Sequence, residues 1–392
     1  MAEQRVIIIG AGYAGLMAAN RLAGHSPEVR VMVVNPAAGF VERIRLHQVA
    51  AGTRPTAAVP LASLLNARAE LIEDSAVRID PARRQVHLAS GRTPLAYDAL
   101  VYAVGSGHAS GAIPDTGYGF NDAGSAGRLR TRLSSLHPGS TVTVVGAGLT
   151  GLELVTEIAR HHRQLHLRLV TRGSAAGSLS PAGAQAVRAR LSRLGIEVVE
   201  NTDVRSCDES SLTTSAGATL PSACTVWATG FAVPPLAGDS GLPTDGRGRL
   251  LVGPSLSCPD HPAIFGAGDA VRVEGTAGRH LRMSCASALP LGATAADGII
   301  ARLEGREPAP LSAGYALRCI SLGRGAGLIQ PVTADDRPRR PILRGPLAGL
   351  AKEQVCRMTL SWLRAEARQS GSFIWPRGPL PAETTRPSAG VR

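Results

Sequence analysis

Gly10-Ala11-Gly12-Tyr13-Ala14-Gly15 and Gly146-Ala147-Gly148-Leu149-Thr150-Gly151 are two copies of one pattern. Each follows a short apolar run, Val6-Ile7-Ile8-Ile9 in one case and Val142-Thr143-Val144-Val145 in the other. Each precedes a helical pattern, Leu16 to Leu22 and Leu152 to Ala159. Strand, tight glycine turn and helix together place backbone N–H groups and a helix N-terminus against a pyrophosphate. The first glycine permits the turn, the second lets the phosphates approach, and the third lets helix and strand pack closely. One copy could be an ordinary βα turn. Two with the same context read as two dinucleotide sites, and paired dinucleotides suggest electron transfer between them.

Outward from these turns, the chain divides. Val29 to Val34 is a second apolar strand, ending at Asn35, and Phe40 to Gly52 reads as a polar helix-like stretch. Ala76 to Leu88 alternates around Pro81 as an antiparallel ribbon, and Leu100 to Gly105 is a strand ending in glycine. The second unit has strands at Thr141 to Val145, His166 to Val170, Glu197 to Val199 and Thr225 to Ala228. Ala263 to Gly266 returns to the first unit, and Leu289 to Leu303 is helical, with Pro290 marking its start. The fold class is therefore α/β, with two Rossmann-like, doubly wound dinucleotide-binding domains, the second inserted in the first. The expected boundaries are 1–112 with 255–310, then 113–254, then a small C-terminal segment, 311–392.

That last segment holds a glycine-rich turn, Gly323 to Gly327, between two apolar runs. A helix follows from about Leu347 to Arg368, with Leu347, Leu350, Ala351, Val355, Met358 and Trp362 on one face and Arg357, Arg364 and Arg368 opposite. It either docks on its own protein or rests on a membrane surface. Beyond Ser370 the Pro-rich end is expected to be loose.

Composition narrows the class. At 392 residues the chain can hold two domains. Aromatics are only 3%, so the cores must be built from Ala, Val, Leu and Ile. The net charge of +12 comes almost wholly from arginine, Lys352 being the single lysine. Genome composition explains that bias; so does attraction to an anionic membrane, an acidic protein or a phosphorylated ligand. No basic block interleaved with aromatics appears, so nucleic acid is not an expected partner. The six cysteines form no C-x-x-C pair, so neither a metal site nor a local dithiol is indicated, and they read as inert thiols of a cytoplasmic protein. The first strand begins by Arg5 or Val6 with no leader before it, and no apolar run approaches membrane-span length.

The two fingerprints, Ala228-Thr229-Gly230-Phe231 and Gly266-Ala267-Gly268-Asp269 follow one another in a fixed order, with a weaker Ala-Thr-Gly copy at Ala103-Val104-Gly105. On these residues, the chain resembles the two-dinucleotide-binding flavoproteins. These include type II NADH dehydrogenases, apoptosis-inducing-factor-like reductases and pyridine nucleotide–disulfide oxidoreductases. The tail, with Ser321-Leu322-Gly323-Arg324 and Ala334-Asp335-Asp336-Arg337, resembles actinobacterial NADH-dehydrogenase-like proteins.

The resemblance implies FAD at Gly10, Gly12, Ala14 and Gly15, with Ala103, Gly105, Gly230 and Gly268 around it and Asp269 at the ribityl–phosphate region. The family's adenosine-ribose acid is replaced by Asn35, which can hydrogen-bond a hydroxyl without a charge-assisted bond. By the same resemblance Arg43 and His47 fall at a place near the flavin or its pyrophosphate, with His47 read equally as a surface helix histidine. The second fingerprint, Gly146, Gly148 and Gly151, implies NAD(P)H. Its neighbouring strand ends in Thr171-Arg172 rather than an acid, which favours NADPH over NADH unless Arg172 merely faces solvent. Glu153 matches a glutamate near the nicotinamide. It and His47 are the catalytic candidates, for orientation or proton handling, with Lys352 a weaker third.

Two departures bear on the acceptor. Residues 35–55 lack the cysteine pair of disulfide reductases, and Pro290 and Leu291 replace the paired glutamines of quinone reductases. The expected activity is an FAD-dependent NAD(P)H oxidoreductase. Its acceptor is a quinone first, then an acidic electron-carrier protein such as a ferredoxin, then a small molecule of a biosynthetic pathway. A redox-responsive flavin-bound binding module with slow turnover is the reading of another class. The location expected is cytoplasmic, with peripheral contact on the inner face of the membrane.

Overall fold

The computed structural model describes residues 3–107 and 113–379. Five parallel strands form the first sheet, in the order Ile264–Gly266, Ala99–Tyr102, Gln4–Ile9, Val29–Asn35 and Ala69–Glu73. Val6, Ile7, Ile8 and Ile9 are all buried, as a strand covered on both faces by crossover segments requires. Four parallel strands form the second sheet, in the order Glu197–Val199, His166–Val170, Thr141–Val145 and Cys224–Trp227. This whole second sheet lies in sequence between two neighbouring strands of the first, Ala99–Tyr102 and Ile264–Gly266. The junction at 108–112 is outside the described residues.

Phe40 to Gly52 is not one helix. Gly39–Val41 is a strand paired with Ala58–Pro60, Arg43–Arg45 is a single 3-10 turn, and Leu46–Ala50 is a short helix. The break has a packing cause. Phe40 is buried in the first unit's core, while Leu46, Val49 and Ala50 are buried in the second's. The segment thus crosses from one unit to the other and carries Arg43 and His47 into the space between them.

Pro290 does not begin its helix. The helix runs Cys285–Leu303, capped by Ser284, whose hydroxyl accepts from the Ser287 N–H. The capping serine sets the start, and a proline at the sixth position removes only one internal donor. Gly292 of this helix packs against the first fingerprint helix so closely that a Cβ there would lie 2.2 Å from the Ala14 carbonyl oxygen.

The C-terminal segment forms an antiparallel sheet of Leu317–Ser321, Gly327–Pro331 and Leu343–Gly345, followed by the helix Pro346–Arg368. That helix docks, but not through the whole expected apolar stripe. Its buried residues are Ala348, Cys356, Thr359, Leu363 and Glu366, whereas Leu347 and Leu350 are 68% and 66% exposed. Polar side chains at docked positions disguise the true inner face. Asn20 Nδ2 donates to the Leu363 carbonyl, and buried Glu366 accepts from the Gly371 and Phe373 N–H groups. The chain just beyond Ser370 is accordingly held rather than loose: Phe373 is buried and Trp375 Nε1 donates to the Ser312 carbonyl. Residues 380–392 of the expected loose tail are outside the described residues.

Candidate functional site

The parallel register brings the carboxyl ends of Gln4–Ile9, Ala99–Tyr102 and Ile264–Gly266 to one edge, where a doubly wound sheet binds ligands. At that edge Gly10 adopts φ +99°, and a Cβ on it would lie 2.4 Å from the Ala103 carbonyl oxygen. A Cβ on Gly15 would meet the Gly10 carbonyl oxygen at 1.8 Å, so helix and strand touch there. Gly12, the helix N-cap, has nothing within 4 Å of its Cβ position and faces an open cavity. Asn35 Oδ1 accepts from the Ala11 N–H at 3.0 Å, and its Nδ2 donates to the Ala37 carbonyl. Its amide therefore braces the fingerprint loop.

Behind that loop stand Asp269, Ser106 and Arg43. The Ser106 hydroxyl donates to Asp269 Oδ2 at 2.7 Å, and Arg43 Nη1 donates to the Ser106 hydroxyl at 3.2 Å and to its carbonyl. Burial pushes the Asp269 carboxyl up from its ordinary value, with the Ser106 bond and Arg43 opposing. Arg43 Nη2 is buried with no partner among the described residues. A buried, unpaired guanidinium nitrogen lining the same cavity as the open Gly12 position fits a pyrophosphate, as the first fingerprint requires. Nothing in the sequence marked Ser106, although it directly follows Gly105.

The second fingerprint repeats the construction. Gly146 adopts φ +107°, a Cβ on Gly151 would meet the Gly146 carbonyl oxygen at 1.9 Å, and Gly148 has open space. Gly107 and Ala232 exchange backbone hydrogen bonds of 2.7 and 2.9 Å, tying together the two segments that follow Ala103-Val104-Gly105 and Ala228-Thr229-Gly230. Both fingerprints open on one cavity of about 580 Å³. Of the sequence candidates, Gly12, Ala14, Arg43, His47, Ala103, Gly105, Gly148, Glu153, Gly230, Gly268 and Asp269 line it. Gly10, Gly15, Gly146 and Gly151 form the turns behind. Asn35 and Arg172 lie at strand ends outside the lining, Arg172 exposed.

In the cavity wall, Lys352 Nζ lies 3.1 Å from Glu153 Oε1, which also accepts from the Ser321 N–H at 3.0 Å. Three segments meet at this pair: the second fingerprint helix, the C-terminal sheet and the C-terminal helix. Burial alone would raise the Glu153 carboxyl; Lys352, His47 and the Ser321 N–H overcome it, and it sits below its ordinary value. Burial opposes the Lys352 charge as well, yet Glu153 holds the ammonium well above its ordinary value. His47 Nδ1 is 4.0 Å from Glu153 Oε2, and burial pushes the imidazole down, leaving it neutral at pH 7. His47 Nε2 is buried without a partner among the described residues. Arg45 grips the Glu353 carboxylate with both terminal nitrogens, pinning Lys352's helix to the turn that carries Arg43.

Three of the scattered cysteines, Cys285, Cys319 and Cys356, also line this cavity. Burial pushes the Cys285 thiol up to about 12 and raises Cys319 and Cys356, so all three are neutral thiols. No disulfide and no metal-binding cluster occurs among the described residues.

Residues 4–289 match the pyridine nucleotide-disulphide oxidoreductase family. The chain belongs to that family. It is 30% identical over 322 residues to a type II NADH:quinone oxidoreductase of Mycobacterium tuberculosis, covering 70% of this chain and 69% of that one. It is 28% identical over 381 residues to an NADH dehydrogenase-like protein of the same species, covering 90% of this chain and 92% of the other. Among solved structures it is similar to NDH2 from Plasmodium falciparum in complex with NADH, at TM-score 0.79 and 14% identity, covering 93% and 97% of the two chains.

Membership makes the chain an oxidoreductase with an NADH dehydrogenase-like, Rossmann-type flavoprotein fold. The family implies FAD and a pyridine nucleotide, and both fingerprints have the open glycine that such ligands need. Pro290 and Leu291, which stand where the resemblance implies paired glutamines, are buried and are not among the residues that line the cavity. Cys285, Ala286 and Ala288 line it there instead. No helix among the described residues is long and apolar enough to cross a membrane.

Proposed function

We propose that this chain is an FAD-dependent NAD(P)H:quinone oxidoreductase, and not a disulfide reductase. The carrying observation is that both fingerprints open on one cavity whose third wall bears the buried Glu153–Lys352 pair. Bound FAD would supply the redox chemistry, taking hydride from a nicotinamide and returning electrons to an acceptor. The protein's own part is position and charge. Gly12 and Gly148 admit the two pyrophosphates, and Arg43 offers an unpaired Nη2 to one of them. The Glu153–Lys352 pair fixes charge beside the nicotinamide side, and neutral His47 can hand on a proton at Nε2. The absence of cysteine from residues 35–55 removes the family's dithiol position, and the relatives named for quinone reduction support a quinone acceptor. The domain boundaries 1–112 with 255–310, 113–254 and 311–392 are part of this proposal. The four strands of the second sheet support them, all falling within 113–254, while Leu250–Val252 pairs with Val271–Val273 and packs in the first unit's core. Rapid mixing of the purified holoprotein with NADPH or NADH, then with a short-chain quinone, tests the reading. Fast bleaching followed by fast quinone reoxidation is expected. Fast bleaching with slow reoxidation by every quinone offered would overturn the acceptor and favour the binding module.

NADPH is the proposed preferred donor. Arg172 follows the strand His166–Val170 and is exposed, where a 2′-phosphate would meet it. Arg172→Ala should raise the KM for NADPH about 10- to 150-fold, the equivalent of a charge-assisted bond of roughly 1.5–3 kcal/mol. Steady-state kinetics with both donors checks this, and equal responses would remove Arg172 from phosphate recognition.

Peripheral contact with the inner face of the cytoplasmic membrane is proposed from the exposed Leu343, Leu347 and Leu350, flanked by exposed Arg339, Arg340 and Arg344. Co-sedimentation with anionic vesicles should fall several-fold in the Leu347→Asp/Leu350→Asp variant. Unchanged sedimentation would discard this surface.

A further inference from the structure

We infer that the solvent-side rim of the cavity is built to receive an anionic group on the electron acceptor, with Arg282 as its ligand. The inference rests on the quinone reading above and specifies the acceptor's chemistry. Arg282 and Arg318 both line the cavity at the rim where Leu317 is exposed. One carboxylate, Asp336, holds both guanidinium groups. Arg318 donates Nε to Asp336 Oδ1 at 3.1 Å and Nη2 to Asp336 Oδ2 at 2.8 Å, and its Nη1 donates to the Ser178 carbonyl. Arg282 Nε lies 3.0 Å from Asp336 Oδ2. Asp336 adopts φ +66°, a left-handed conformation that a non-glycine residue holds only at some cost.

The two arginines differ in what remains free. Arg318 is spent on Asp336 and Ser178. Arg282 meets Asp336 only as an ion pair through Nε, which makes no hydrogen bond, and no side-chain nitrogen of Arg282 donates to a partner among the described residues. Its orientation is nevertheless fixed. The guanidinium lies 4.5 Å over the ring of buried Tyr315. The Tyr315 hydroxyl accepts from the Arg282 backbone N–H at 2.9 Å and lies 2.5 Å from the Ser287 hydroxyl. A guanidinium held beside the Asp336 carboxylate and stacked on one face keeps its terminal nitrogens available, and such a fork takes a carboxylate or sulfonate bidentately.

The charges do not cancel. Two guanidinium groups face one Asp336 carboxylate, while Asp335 pairs with Arg337 and Glu153 with Lys352. One positive charge is left over at the rim. Leu317, Met283 and Val355 line the cavity beside it. A planar apolar body carrying one acidic substituent satisfies both features, whereas a neutral quinone leaves the fork unpaired.

The test uses the oxidised FAD-loaded protein and two ligands of similar shape, 2-naphthoate and 2-naphthamide, titrated by calorimetry and by perturbation of the flavin absorbance. The acid should bind at least about 10-fold more tightly than the amide, as expected for a hydrogen-bonded ion pair. Arg282→Gln should erase that difference, and Arg282→Lys should keep part of it. Equal binding of acid and amide by the wild-type protein would overturn the inference without any variant being needed. Loss of bound FAD from Arg282→Gln would also overturn it, by assigning the fork to the cofactor. Reoxidation by 2-methyl-1,4-naphthoquinone and by 1,4-naphthoquinone-2-sulfonate separates the two readings. If the neutral quinone works and the naphthoate does not bind preferentially, the anion site fails and the quinone reading stands. If neither quinone reoxidises the flavin, the quinone reading itself fails.

Discussion

Gly148→Val is expected to yield a yellow protein that neither NADPH nor NADH bleaches, and Gly12→Val a folded protein that holds no FAD. Both glycines are helix N-caps in extended conformations that valine also adopts, with φ −77° at Gly12 and −67° at Gly148. Neither has an atom within 4 Å of a Cβ, so the folded chain has room for the new side chain. The space it fills is the space a pyrophosphate needs, and the N–H groups behind it lose their ligand. Losing even one or two hydrogen bonds to a charged phosphate, at roughly 1.5–3 kcal/mol each, weakens binding by about 10- to 10,000-fold. Flavin content per chain and the rate of anaerobic bleaching are the measurements. FAD retained at full content by Gly12→Val would end the assignment of the first fingerprint, and normal bleaching of Gly148→Val would end that of the second. Gly15→Ala and Gly151→Ala serve as the contrast. Their added methyls fall 1.8 and 1.9 Å from the Gly10 and Gly146 carbonyl oxygens, so these variants should lose Tm rather than a single ligand.

What could be read from the sequence follows the range over which each feature acts. A fingerprint is local: strand, turn and helix lie within about a dozen residues, and the required glycines are visible as glycines. Glu153 was legible because it sits two residues past Gly151, whereas His47 was named only through the family resemblance. Lys352 was visible only as the lone lysine. Its meeting with Glu153 depends on a sheet that carries Ser321 to a helix 168 residues earlier in the chain. The C-terminal helix misled for a physical reason. Periodicity assigns apolar residues to the inside, but this helix turns Thr359, Glu366 and the Lys352 stem inward and leaves Leu347 and Leu350 in solvent. Phe40 to Gly52 misled because its apolar residues serve two different cores, and no single helical face could reach both. Asn35, expected to hydrogen-bond a ribose, has its amide engaged with the Ala11 N–H and the Ala37 carbonyl, contacts that need the folded loop to exist.

Lys352→Met is expected to cost the fold roughly 3–5 kcal/mol, because removing one member of a buried ion pair strands the other. In the native protein the sign of each shift is defined. Glu153 is held below its ordinary value, so its contribution is present above the unfolded carboxylate range, near pH 4.3, and is lost as the pH falls through the folded value. Lys352 is held above its ordinary value, so its contribution is present below about pH 10.4 and is lost as the pH rises through the folded value. Stability from the pair is therefore flat between those limits. Without Lys352, burial would dominate Glu153 and raise its carboxyl, so the folded state would bind a proton that the unfolded state releases. The Tm of Lys352→Met should then climb as the pH is lowered from about 8 to about 5, while the wild-type Tm does not. The double variant Glu153→Gln/Lys352→Met should recover much of the loss, since a neutral amide has no stranded charge to bury. Thermal melts of the three proteins across that pH range decide the matter. Parallel Tm profiles for wild type and Lys352→Met would mean that Glu153 does not depend on Lys352 for its charge, and the buried pair would lose its proposed role of fixing charge in the cavity wall.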